Sequence, residues 1–254
     1  MKAPLSLADR TILVTGASSG LGRHFARLLV QKGAKVAAGA RRTELLEALA
    51  VELKDSPGSL FPVALDVTSQ ASINDALDAV ESAFGPVDAL VNNAGLATQG
   101  RALEFSEADY DQMFDTNTRG NFFMAQACVR RMIDHGIEGT IINIASVSGS
   151  TQMPQLTVYG MSKAAVIQMT KSLAREWGRF GIAVNAICPG YIATELNRDF
   201  FASDSGAQLV SRLPRKRVGQ PEDLDAPLLM LLSGAGVRLI TGAIINVDDG
   251  YALG

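Results

Sequence analysis

Histidine and cysteine are nearly absent from this chain, with two of each among 254 residues. His24 and His135 are too few and too isolated for a metal cluster, so no metal is expected. Cys128 and Cys188 each lie in an apolar run and read as reduced core thiols, not as a disulfide pair. Positive charge is not in excess either. A formal net charge of −3 leaves no basic footprint for nucleic acid. No segment approaches the ~20 apolar residues of a membrane span, and Met1–Asp9 lacks the apolar stretch of a secretory leader. Linkers, internal repeats and low-complexity tracts are missing as well. These absences predict a cytoplasmic protein, without nucleic-acid or membrane partners, that handles a small molecule.

What is present is a large apolar core. Hydrophobic residues make up 47% of the chain and charged residues 19%, too apolar for disorder. The length suits one α/β domain over residues 1–254. Strand-like runs at Thr11–Thr15, Lys35–Ala38, Leu60–Leu65, Asp88–Val91, Thr140–Ala145, Ala183–Cys188 and Ala243–Val247 alternate with amphipathic helical stretches. One helix is expected over Gly20–Gly33, another through Leu45, Leu46, Leu49 and Leu53, and a third through Ile73, Leu77 and Val80. Strands separated by helices imply right-handed crossovers and a parallel sheet covered on both faces. The fold class predicted is therefore α/β, a doubly wound, Rossmann-like parallel sheet of about seven strands with helices on both faces.

Two longer helical regions, Ser106–His135 and Thr157–Phe180, carry apolar residues on more than one face, among them Phe122, Phe123, Met124, Val166, Ile167 and Met169. One face can cover the sheet while another meets a second copy, so a homo-oligomer is expected. The least patterned stretch is Tyr191–Arg217, which mixes Thr194, Asn197, Asp199, Ser203, Asp204, Ser205 and Gly206 with Leu196, Phe200, Phe201, Leu209 and Val210. It follows the sixth strand, at the carboxyl end of the sheet where such folds bind ligands, and reads as a substrate lid.

The first strand runs into Thr15-Gly16-Ala17-Ser18-Ser19-Gly20-Leu21-Gly22. Glycines at this spacing let the backbone approach a pyrophosphate, and the N–H groups at a helix N-terminus attract its charge. Ser18 and Ser19 add hydroxyls, as caps or as phosphate donors. A tight strand-to-helix turn is the plainer alternative. After the second strand comes Gly39-Ala40-Arg41-Arg42, with no acid before Glu44. A carboxylate there would accept from an adenosine ribose 2′-hydroxyl; two guanidiniums instead suit a 2′-phosphate. NADP is thus favoured over NAD. Arg41 and Arg42 could also be a solvated helix start, although cations sit poorly at a helix N-terminus without an anion. Asp66, followed by Val67, ends the third strand. Its carboxylate suits an adenine amino group and equally a helix N-cap.

Tyr159 and Lys163 are four residues apart, on one helical face. Chance gives about 0.1 such pairs in a chain with these Tyr and Lys counts, so context matters. An ammonium beside a phenol favours phenolate and would bring the Tyr159 pKa down from about 10 toward the range of general acid–base work. Ser146, thirteen residues before Tyr159, would donate to a substrate oxygen and stabilise developing charge. The alternative makes Tyr159 a half-buried aromatic and Lys163 a surface charge.

Together these motifs resemble those of the short-chain dehydrogenase/reductase family, in its group of non-extended, domain-sized enzymes. The resemblance spans nearly the whole chain. Thr15–Gly22 is similar to the family's glycine motif and Asn92-Asn93-Ala94-Gly95 to its NNAG element. Asn117 falls where the family has a catalytic asparagine, and Ser146, Tyr159 and Lys163 match its serine and YxxxK pair. Pro189-Gly190 followed by Thr194 resembles the segment that holds the nicotinamide amide, and Arg217–Asp223 a familiar C-terminal stretch. The resemblance implies that Tyr159 is the acid in reduction and the base in oxidation. It implies that Lys163 lowers the Tyr159 pKa and binds the nicotinamide ribose, that Ser146 polarises the carbonyl, and that Asn117 holds a water linking Lys163 to solvent. Asn93, Ala94 and Gly95 would line the cofactor, and Ile192 would offer backbone to the carboxamide. The family also implies a tetramer; composition alone leaves dimer and tetramer open.

Two departures stand out. Asp248-Asp249-Gly250 replaces the more usual Asp-Gly-Gly. Phe180 stands where reductases of carrier-bound acyl chains often have a basic residue. The second serine after the fifth strand, Ser148, has the wrong spacing to Tyr159 to be the family serine. The expected activity is hydride transfer between NADP(H) and a hydrophobic secondary alcohol or ketone. Leu96, Val147, Met153, Leu156, Phe200, Phe201 and Leu209 are the candidate apolar wall, with Gln152 and Tyr191 as polar contacts. A 3-oxoacyl-carrier-protein reductase is the enzymatic alternative, and a dinucleotide-sensing regulatory protein the non-enzymatic one.

Overall fold

Thr11–Thr15 forms β1, and every one of its residues is buried. Successive strand side chains point to opposite faces, so both faces must be covered. Ile12 and Val14 enter one apolar cluster and Leu13 enters another. The remaining strands are β2 (Lys35–Ala40), β3 (Ser59–Ala64), β4 (Ala89–Asn92), β5 (Thr140–Ile144), β6 (Ala183–Pro189) and β7 (Ile244–Val247). The computed structural model describes residues 7, 8, 10–195, 197–233 and 239–253. Met1–Ser6, Asp9 and Leu196 of the segments read above lie outside the described residues.

The seven strands are all parallel, in the order β3-β2-β1-β4-β5-β6-β7. Order reverses between β1 and β4, which opens a crevice at their carboxyl ends. Helices α1 (Gly20–Gln31), α2 (Thr43–Glu52) and, late in the chain, Asp225–Ser233 pack Phe25, Leu29, Leu46, Leu49, Leu228 and Leu232 on one face. Helix α3 (Gln70–Phe84) packs Ile73 and Leu77 on the other. Pro62, which lacks an N–H for a ladder, sits in β3 at the sheet edge, where such a residue is tolerated.

The first long helical region is not one helix. It divides into α4 (Glu107–Phe114), a π turn over Asp115–Gly120 and α5 (Asn121–Asp134). The second is α6 (Thr157–Trp177), closed by a tighter turn over Gly178–Phe180. Met124, Val166 and Ile167 are buried within this chain, so they serve its own core and not a partner.

The segment 191–217 is also less irregular than its composition predicts. It contains α7 (Arg198–Ala202) and α8 (Asp204–Arg212). The Ser203 hydroxyl accepts from the Gly206 N–H and caps α8, so the polar residues that read as a loop are a helix start. Leu213 is buried behind it. Asp225–Ser233 is α9. Among the described residues, no helix is long and apolar enough to cross a membrane.

Candidate active site

The register of the first two strands builds one end of the site. Thr15 pairs with Gly39, so the turn after β1 and the arginines after β2 emerge side by side. Gly16 has φ +67°, and a Cβ there would stand 2.9 Å from Ala94 Cα. A Cβ on Gly22 would stand 2.2 Å from the Gly16 carbonyl oxygen. Neither place admits a side chain, and the main chain is left bare at the N-terminus of α1, as an anion cradle requires. The Thr15 hydroxyl accepts from Asn93 N (3.0 Å) and Ala94 N (2.9 Å), and Asn93 Nδ2 donates to Thr15 O (2.9 Å). These bonds stitch the loop after β4 to the glycine turn.

Arg42 Nη2 donates to Ser18 Oγ (3.2 Å) and Ser19 Oγ (3.1 Å), so its guanidinium lies over the turn. Arg41 is exposed beside it. Asp66 does not cap α3; that cap is Ser69, whose hydroxyl accepts from Ser72 N. Asp66 Oδ1 instead accepts from Thr68 N (2.9 Å) and Thr68 Oγ1 (2.7 Å), which closes a local turn. The Thr68 N–H is the main reason its carboxyl is held below the usual carboxylate range, with burial opposing and the Arg41 charge assisting. Val67 packs its side chain into the core.

At the other end, Lys163 is buried, at 4% exposure. Its Nζ donates to Ile144 O (2.8 Å) and lies 5.8 Å from the centre of the Tyr159 ring. The Ser146 hydroxyl lies close enough to the Tyr159 phenol to favour its ionised form. It also accepts from Ser148 N (3.2 Å) and Ser148 Oγ (3.0 Å). Asn117 is fully buried in the π turn. Its Oδ1 accepts from Leu96 N (2.8 Å) and its Nδ2 donates to Leu96 O (2.9 Å) and Ser162 Oγ (3.0 Å). The Ser162 hydroxyl in turn donates to Tyr159 O (2.7 Å). The Asn117 side chain therefore pins a loop and α6. Its main-chain carbonyl accepts from Asn121 Nδ2 (2.7 Å).

One cleft of about 590 Å³ joins both ends. It runs from Gly16, Gly20, Leu21 and Gly22 past Asn93 and Gly95 to Ser146, Tyr159 and Lys163, and passes Pro189, Gly190, Ile192 and Thr194. Two smaller hollows that adjoin it, of about 140 and 280 Å³, carry no comparable set of groups.

Comparison with known proteins agrees with this geometry. The family model for short chain dehydrogenases matches residues 10–205. A gluconate 5-dehydrogenase of Gluconobacter oxydans is 36% identical over 249 residues, covering 98% of this chain and 96% of that protein. A 3-oxoacyl-[acyl-carrier-protein] reductase of Thermotoga maritima is 34% identical, covering 98% and 100%. A solved structure from Beutenbergia cavernae, titled as a candidate NAD(P)-dependent gluconate 5-dehydrogenase with NADP bound at low occupancy, superposes with a TM-score of 0.91. It is 33% identical and covers 99% of this chain and 100% of that one. The chain belongs to the short-chain dehydrogenase/reductase family. It is an oxidoreductase of the kind that acts on alcohol and carbonyl groups.

The electrostatics of this dehydrogenase correct one expectation. Burial pushes the Tyr159 phenol above its ordinary value, and the Ser146 hydrogen bond only partly opposes it. Lys163 does not pull it down, because the ammonium is held at the Ile144 carbonyl and not at the phenol oxygen. Burial also drives the Lys163 amine down to about 8, from 10.5. The folded state thus disfavours charged Lys163. Below pH 8 both folded and unfolded chains hold the proton, and the fold carries a cost of about 3 kcal/mol. Between pH 8 and 10.5 the folded chain releases its proton first, so the cost falls as pH rises. Lys163→Met should therefore stabilise the cofactor-free protein by about 1–3 kcal/mol at pH 7 and flatten its stability between pH 8 and 10. Urea titrations at several pH values check this; equal slopes in both proteins would contradict it.

Several contributors escaped sequence reading. Ile144 O, Ser148 and Ser162 orient Lys163, Ser146 and Tyr159 respectively. A Ser-x-Ser run after a buried strand, and a serine beside the lysine, were the available signals. Gln99 also lines the cleft, with no local signal, and so does Asn197 of the segment read above as a lid. Of the expected apolar wall, Leu96, Val147, Met153 and Leu156 face the cleft. Phe200, Phe201 and Leu209 do not line it. Phe201 packs edge-on to Tyr191 at 6.3 Å and Phe200 to Phe201 at 5.4 Å, so these rings support Tyr191 from outside the cleft. Gln152 is exposed.

Proposed function

We propose that the protein is an NADP(H)-dependent ketone reductase and secondary-alcohol dehydrogenase. The observation that carries this reading is the cleft itself, which has Tyr159, Ser146 and Lys163 at one end and a side-chain-free glycine cradle at the other. The nicotinamide, when bound, supplies or accepts the hydride at the substrate carbon. Main-chain N–H groups at Gly20, Leu21 and Gly22 hold the pyrophosphate, with Ser18 and Ser19 beside them. Arg41 and Arg42 grip the 2′-phosphate, a role supported by the Arg42 position over the two serines. Asp66 Oδ2 and the Val67 main chain meet the adenine. Asn93, Ala94 and Gly95 line the middle of the cofactor, and Pro189, Gly190, Ile192 and Thr194 its nicotinamide end.

Tyr159 gives its proton to the carbonyl oxygen in reduction and takes it back in oxidation. Ser146 has accepted two bonds from Ser148, so its own proton can turn to the substrate oxygen. Lys163 binds the nicotinamide ribose, and the Asn117 carbonyl holds the water that connects it to solvent.

The substrate end is walled by Leu96, Val147, Met153 and Leu156, and the cleft is lined by no Arg, Asp or Glu among the described residues. This favours an uncharged, hydrophobic ketone over a sugar acid, whose carboxylate would meet no guanidinium there. A carrier-bound thioester is the second reading, supported by the likeness to the Thermotoga maritima reductase. Against it stands Phe180, with Arg179 stacked on its ring at 4.6 Å.

Residues 191–217 act as the lid. A second copy, in a dimer or tetramer, covers the groove of about 850 Å³ between α5 and α6, where Phe122, Met169 and Trp177 are accessible. The protein works in the cytoplasm. NADPH consumption against a panel of aliphatic and aromatic ketones, keto acids and acetoacetyl thioesters tests the assignment. Free ketones should be the fastest. Preferred thioesters would favour the carrier reading, and tight NADPH binding without turnover anywhere would favour a dinucleotide sensor.

A further inference from the structure

The residue that departs from Asp-Gly-Gly has an unusual conformation and an unusual set of partners. Asp249 has φ +59°, in the left-handed region that a side chain rarely adopts, though Asp and Asn tolerate it best. Its Oδ1 accepts from Arg215 Nη1 (2.8 Å) and Arg217 Nη2 (3.2 Å), and its Oδ2 accepts from Arg217 Nε (2.8 Å). Between those arginines, Lys216 is also left-handed, at φ +51°. That reversal sets residues 215 and 217 toward one carboxylate. Two strained non-glycine residues therefore flank one ion-pair network, and such strain persists only where the surroundings hold it.

The network lies at the foot of segment 191–217. Ile192 and Gly219 close that foot through a parallel bridge. Two residues beyond Asp249, Tyr251 packs edge-on against Tyr191 at 5.3 Å, and Tyr191 lines the cleft. The C-terminal corner thus touches both legs of the segment, one through charge and one through an aromatic pair. Between them remains a cavity of about 140 Å³ lined by Ile192, Leu213, Val247 and Asp249 among others. The foot is not closed by dense apolar packing, and the ion pairs span the gap.

We propose that Asp249 is a positioning residue that latches the lid through Arg215 and Arg217 and thereby fixes the substrate wall at Tyr191. The substrate part rests on the function proposed above; the latch part does not. Asp249→Asn keeps a residue suited to the left-handed backbone and removes the charge, while Asp249→Glu keeps the charge. Trypsin reads the latch directly, since Arg212, Arg215, Lys216 and Arg217 lie in that leg.

Asp249→Asn should be cleaved there about fivefold faster than the parent. The difference should collapse in 1 M NaCl, at about which salt screens such pairs, and Asp249→Glu should recover part of the protection. With the best ketone of the panel, Asp249→Asn should raise KM about fivefold, with kcat and NADPH Kd within about twofold. Equal tryptic rates would overturn the latch. Faster cleavage with an unchanged KM would overturn the substrate role. If the parent reduces no ketone, the proposed function fails while the tryptic result still decides the latch.

Discussion

Tyr159→Phe should reduce turnover by about 100- to 10,000-fold, the contribution typical of a positioned acid–base group, while NADPH affinity stays within about twofold of the parent. The substitution removes one oxygen and keeps the half-buried ring, whose centre lies 5.8 Å from Lys163 Nζ. The phenol is raised by burial, so it is protonated through the neutral range. That state suits ketone reduction, which needs a proton donor, and handicaps alcohol oxidation, which needs a base. Reduction should therefore hold its rate from pH 6 to 8, whereas oxidation should climb toward alkaline pH. Initial rates in both directions, with NADPH and NADP Kd from fluorescence titration, check both points. Near-normal turnover in Tyr159→Phe would remove the acid–base role from this residue.

Arg41→Asp should reverse the cofactor preference. A charge-assisted hydrogen bond contributes about 1.5–3 kcal/mol, so losing one guanidinium should weaken NADPH by about 10- to 100-fold. The new carboxylate adds repulsion toward a 2′-phosphate and an acceptor for a 2′-hydroxyl. NADH should gain correspondingly, for a change in preference of at least about 100-fold. Arg42→Ala separates the two arginines: its loss also frees Ser18 and Ser19, which it now contacts, and should weaken NADPH without favouring NADH. An unchanged NADPH Kd in Arg41→Asp would refute the assignment of the 2′-phosphate to this corner.

The sheet was legible because its strands are buried on both faces and so read as continuous apolar runs, as in β1 and β5. Boundaries moved by a residue or two; β2 runs on to Ala40 because it keeps pairing with β3 there. The α7–α8 pair was hidden, since Ser203 and Asp204 are at once loop formers and a helix start. The division at Asp115–Gly120 was hidden too, because nothing in Asp-Thr-Asn-Thr-Arg-Gly announces a π turn.

At the site, the meeting of Ser146, Tyr159 and Lys163 in one cleft was readable from spacing, but the balance of forces was not. Lys163 sits one helical turn from Tyr159, yet its Nζ is tied to Ile144 O on β5, nineteen residues earlier in the chain. The resulting burial, not the neighbouring charge, sets both pKa values. Asn117 was recognised by position, while its side-chain bonds to Leu96 depend on a loop that only the tertiary fold brings to it. Asp66 offered two readings, and the N-cap one fell because Ser69 next door caps α3 instead.

The most direct trial follows an isotope. The best-reduced ketone is incubated with NADPH carrying deuterium at nicotinamide C4, each face labelled in turn, and the alcohol is analysed by mass spectrometry and NMR. One deuterium on the carbinol carbon from one face only, and loss of that product in Tyr159→Phe, is the predicted outcome. An alcohol without the label, or a labelled product formed equally well by Tyr159→Phe, would contradict the account.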